Sequence, residues 1–92
     1  MPRYYFDIHD SFVIRDHEGT DLPSKIDARV EGVRFTAAYL KDSPNLVWDG
    51  HQLRVLVFDE DRALLTTIHV SADDQAPMHE AVELEAKEDE PT

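Results

Sequence analysis

The chain has 92 residues, with twenty acids against nine bases for a formal charge of -11, and no cysteine. That length suits one small domain with a thin core, burying about 60–70% of the surface of its unfolded chain, so a large enclosed catalytic pocket would be costly. The absence of cysteine excludes disulfides and thiolate zinc sites, and the acidic balance repels phosphate backbones, which disfavours nucleic-acid binding by the isolated monomer.

The N-terminus, MPRYYFDIHD, has no long apolar run of the kind a secretory signal carries, and no later segment approaches the ~20 apolar residues of a membrane helix. A soluble, cytoplasmic protein is expected. RYYFDIH alternates Tyr4, Phe6 and Ile8 with Tyr5, Asp7 and His9, the two-residue period of a half-buried strand. After the break at His9-Asp10-Ser11, SFVIRD resumes the alternation, and the two segments read as a hairpin.

RDHEGTDLPSKIDAR gathers Asp16, His17, Glu18 and Asp21 around Gly19. A calcium loop needs five or more oxygens at fixed spacing and a distant bidentate Glu. Three carboxylates are available here, and no Glu stands at the twelfth position counted from Asp16. The preferred reading is a connector: a turn at Gly19, an anchor at Leu22, and a helix start prepared by Pro23 and capped by Ser24. A looser divalent-cation site is the alternative.

The period then lengthens. Ile26, Val30, Val33, Ala37 and Leu40 recur at steps of four and three, one face of a helix ended by Pro44, and this face is expected to meet the sheet. Gly32 in mid-helix is read either as allowing close approach to the sheet or as a tolerated surface glycine. In SPNLVWDGHQ, Leu46, Val47 and Trp48 are expected to pin the connector to the core edge. LRVLVFD and ALLTTIHV, joined by Asp59-Glu60-Asp61-Arg62, form a second hairpin.

The expected fold is α+β: a two-layer ββαββ sandwich over residues 1–72, with four antiparallel strands and one helix on one face. Residues 73–92 hold eight acids and one base, and are read as an acidic, disordered tail.

The sheet face away from the helix carries Tyr5, Val13, Leu56, Phe58 and Leu65. This apolar set is taken as an interaction surface, for a second copy or a protein partner, the alternative being that the tail or the connector folds over it. His9 and His69, with Asp7 on the same side, suggest a zinc site if their strands adjoin, although no H-x-x-x-H or H-E-x-x-H is present. Ser11, Ser24, Ser43 and Ser71 lie at element ends, outside any G-x-S-x-G, and neither phosphate-binding glycine motif occurs. No catalytic residue, metal ligand or cofactor is assigned.

Motifs across residues 1–71 resemble a family of short bacterial proteins of unknown function, widespread in rhizobia and related alphaproteobacteria. Its members open M-P-R-Y-[FY]-F-D, continue through [IL]-x-D-x-E-G-T-[ED]-L-P and a helical A-R-x-E, and close with W-x-D-G and a D-E-D-G turn. The matching residues are Met1 to Asp7, Asp16, Glu18 to Pro23, Ala28-Arg29 with Glu31 and Arg34, and Trp48 to Gly50. Arg62 stands where the turn usually has glycine. The resemblance implies a fold but no activity.

A hairpin followed by Leu-Pro and a helix is also similar in layout to HicB-type antitoxins, without their L-P-G-C motif. The functional expectation is a non-catalytic protein-binding or regulatory module that self-associates. The alternatives are a divalent-metal-binding or metal-dependent protein and an antitoxin-like partner protein.

Overall fold

A computed structural model describes residues 1–48 and 50–74. The segment read as an acidic tail lies, from residue 75 on, outside the described residues.

The central strand is β1 (Arg3–His9), whose alternation sends Tyr4, Phe6 and Ile8 into the core. On one side it pairs antiparallel with β4 (Leu53–Phe58), in register from Tyr5 opposite Phe58 to His9 opposite Arg54. β4 in turn pairs with β5 (Leu64–Val70), an antiparallel ladder with a bulge opposite Val57 and Phe58. Along its other edge β1 meets two short strands, β2 (Val13–Ile14) beside Ile8 and His9, and β3 (Thr20–Asp21) beside Arg3 and Tyr4.

The sheet therefore has five strands, all antiparallel, and runs β2-β1-β4-β5 with β3 also on β1. The expected four-strand ββαββ order is corrected by β3. The chain leaves β1 after Ile14, turns around Gly19, and returns to it. Leu22 extends the second contact by donating its N–H to the Pro2 carbonyl at 3.1 Å.

The helix α1 (Lys25–Asp42) begins where Ser24 predicts. The Ser24 hydroxyl accepts from the Asp27 N–H at 3.3 Å and donates to the Asp27 carboxylate at 2.7 Å. Asp27 in the first turn and Lys41 in the last also oppose the helix dipole favourably. Ser43 closes the helix by donating to the Tyr39 and Leu40 carbonyls, just before Pro44.

The buried face of α1 differs from the expected one. Ala28, Gly32 and Thr36 lie against the sheet, flanked by the half-buried Phe35 and Tyr39, whereas Ile26, Val30 and Val33 are exposed. Close approach explains the choice. A Cβ on Gly32 would stand 2.9 Å from Ile68 Cδ1 and 3.0 Å from Val57 Cγ2. Small residues at four-residue spacing let the helix backbone settle onto β4 and β5, and larger ones would hold it off. Thr36 satisfies its buried hydroxyl by donating to the Gly32 carbonyl at 2.8 Å.

Because α1 sits over β4 and β5, the core beneath it divides in two. Tyr4, Phe6, Ala28 and Val57 form one cluster; Ile8, Val47 and Leu53 form the other, with Phe35 touching both. Val47 is buried in the core, Leu46 packs against the same cluster, and Trp48 donates its indole N–H to the Pro44 carbonyl at 3.0 Å. Among the described residues, no helix is long and apolar enough to cross a membrane.

Candidate functional site

The acidic loop comes first because its residues suggest chemistry. β1 lacks a strand partner between β2 and β3, and the Asp16 carboxylate fills that gap. Its Oδ2 accepts from the Phe6 N–H at 3.1 Å, and its Oδ1 accepts from the N–H groups of Glu18 and Gly19 at 3.1 and 3.0 Å. Partial burial pushes the Asp16 pKa up, but the amides of Gly19, Phe6 and Glu18 and the nearby Arg62 charge outweigh it, so the net direction is down.

Asp21 is occupied too. Arg3 hydrogen-bonds and attracts it at 3.1 Å, lowering its pKa, and donates as well to the Glu18 carbonyl at 3.0 Å. Gly19, at φ 75°, brings the backbone so close that a Cβ would lie 2.6 Å from Arg3 Cγ and 2.9 Å from Tyr5 Cε1. The loop acids hold the chain against β1. Among the described residues, no group of three or more His, Asp or Glu is placed to hold a metal ion.

On the helix-free face, β1 buries Asp7 at 3% exposure. Arg62 reaches it from the β4–β5 turn, its Nη1 donating to both Asp7 oxygens at 3.0 Å and its Nη2 to the Asp16 carbonyl. The guanidinium also lies over the Tyr5 and Phe58 rings, 4.5 and 5.2 Å from their centroids. Asp7 accepts further from the Asp16 N–H at 3.0 Å, with Arg15 at 3.9 Å.

Register keeps four of the five residues expected to form one apolar patch, Tyr5, Val13, Leu56 and Phe58, on the helix-free face. Tyr5 and Phe58 lie under Arg62, Leu56 is half-buried next to Asp7 in register, and Val13 is exposed on the outer strand β2. Leu65, shifted by the β4–β5 bulge, packs against the Tyr4 cluster. Arg62 was missed as a site residue; a cation in place of a turn glycine, with one acid in the middle of an apolar strand, was its only signal.

The histidine pair is also resolved. His9 and His69 share a face, but Arg54 stands between them in register, so two strand spacings, about 10 Å, separate their backbones. Both line one open groove together with Arg54, whose charge disfavours a metal ion between them. Ser24 and Ser43 are the helix caps, and the Ser11 hydroxyl donates to the Asp10 carboxylate at 3.0 Å.

Two open grooves remain beside α1. One, of about 520 Å³, lies on the β1 side, where Phe6, Ile8, Ile14 and Phe35 are overlooked by Arg15 and Glu31. The other, of about 380 Å³, lies between α1 and β5 and is mostly apolar: Ile26, Val30 and Val33 line its wall and Thr66 and Ile68 its floor, with Arg29 at its side. The wall residues are 68, 46 and 58% exposed, and β5 has no strand on its outer side among the described residues.

One helix laid across an antiparallel sheet, with Asp7, Asp16 and Asp21 held in structural hydrogen bonds and ion pairs, defines an α+β domain. The chain belongs to the family described as Domain of unknown function (DUF6894), whose model matches residues 3–71. No curated protein and no solved structure matches it.

Proposed function

We propose that this domain is a non-catalytic protein-binding module whose contact surface is the α1–β5 side. The observation that carries the reading is the exposed stripe Ile26, Val30 and Val33 beside a strand edge that is unpaired among the described residues. Contiguous exposed apolar surface marks contact sites, and an open edge offers a row of unpaired N–H and C=O groups. β5, LLTTIHV, carries no lysine, proline or carboxylate to discourage pairing. Strand addition at such an edge draws affinity from main-chain hydrogen bonds and specificity from neighbouring side-chain pockets.

The proposed surface is moved from the helix-free face, where the Arg62 guanidinium caps Tyr5 and Phe58. The test is affinity capture from the native host with three baits: the wild type, Leu56→Lys on the helix-free face, and Ile26→Glu/Val33→Glu in the groove. Partners retained by the first two and lost by the third are expected. Identical partner sets from all three baits would remove the reading.

A further inference from the structure

We infer that the occupant of the α1–β5 side is a second copy of this chain. The inference rests on the binding-surface reading above and names its partner. The β5 strands of two copies pair antiparallel about a two-fold axis, and their α1 helices pack antiparallel above the joined sheet.

Spacing argues for this occupant. α1 lies over both β4 and β5. With strands about 4.8 Å apart, a helix seated between them stands about 2.4 Å inside the outer strand. Two-fold pairing of β5 then sets the two helix axes about 10 Å apart, close to the 8–10 Å at which helices pack. A lone peptide strand would satisfy the edge and leave Ile26, Val30 and Val33 uncovered.

The sequence pattern agrees. Ile26, Val30, Val33 and Ala37 step by four, three and four, the spacing of a seam between helices, and α1 turns Ala28, Gly32, Thr36 and Leu40 to its own core. Gly32 rests against Ile68 and Val57, and Val57 is the register partner of Thr66. An axis near Thr67 therefore sets Val30 of one copy beside Val33 of the other, an isologous contact.

Charge permits the approach. In a chain of -11, α1 carries four bases (Lys25, Arg29, Arg34 and Lys41) against three acids (Asp27, Glu31 and Asp42), and β5 carries no acid. A side wall about 25 Å long and about 20 Å deep offers roughly 500 Å², below the ~800 Å² per partner of a standard complex, so a dimer that dissociates on dilution is expected.

Sedimentation velocity over a wide concentration range tests this, with oxidative trapping as a second measurement that needs no disruptive variant. The expected result is a mass rising from one copy to two, abolished by Val30→Glu/Val33→Glu and unaffected by Leu56→Lys. Thr67→Cys in this cysteine-free chain should form a disulfide-linked dimer under mild oxidation, and Val13→Cys on the opposite edge should not. A monomer at every concentration with no Thr67 trapping above the Val13 control overturns the inference, as does a dimer lost in Leu56→Lys and retained in Val30→Glu/Val33→Glu. If the chain is monomeric yet groove-dependent host partners are captured, the second copy is wrong and the binding surface stands; if neither is seen, both fall.

Discussion

Arg62 holds φ 63°, a left-handed conformation that costs a residue with a Cβ about 1–2 kcal/mol. Its side chain compensates by neutralising Asp7 and covering two aromatic rings. Arg62→Gly relieves the backbone and abandons a buried carboxylate, a loss of about 3–5 kcal/mol. The net expectation is a destabilisation of about 1–4 kcal/mol in urea unfolding, with Asp7→Leu/Arg62→Gly recovering more than half of it; an unchanged single-variant midpoint would contradict the role. Asp16 has a pH signature. Its folded pKa is depressed, so its contribution is complete above the unfolded value and lost as pH falls through the folded one. Stability should therefore drop below about pH 4, and Asp16→Asn should flatten that part of the profile. At pH 7, Asp16→Ala should cost about 2–4 kcal/mol by leaving the Phe6, Glu18 and Gly19 amides unpaired.

At the scale of elements, α1 turns on Gly32. Gly32→Leu forces a side chain against Val57 and Ile68 and should destabilise by about 3 kcal/mol despite leucine's better helix propensity. A variant as stable as wild type would mean that α1 does not lie where Ala28, Gly32 and Thr36 place it. The same helix shows how far the sequence could be read. Its ends were legible because Ser24 and Pro44 act locally, and the long strands were legible from their two-residue period. Its inward face was not, because hydrophobic periodicity reports an apolar stripe without saying what covers it, and here close packing favours the small residues. β3 and the filled gap beside Phe6 were hidden because the Asp16 carboxylate, a side chain, substitutes for a ladder partner. The Asp7–Arg62 pair joins positions 55 residues apart, a distance over which no local pattern reports.

For the whole molecule, the α1 stripe and the β5 edge belong together. A two-layer domain whose helix lies over its last two strands exposes the helix flank and the strand edge on one side, and each copy supplies what the other lacks. The direct measurement is amide hydrogen exchange of β5 as a function of protein concentration. Protection at the outward-facing, alternate amides of Leu64–Val70 should rise with concentration, while β2 at the opposite edge stays unchanged. Exchange at those β5 amides that is independent of concentration would contradict pairing through this edge.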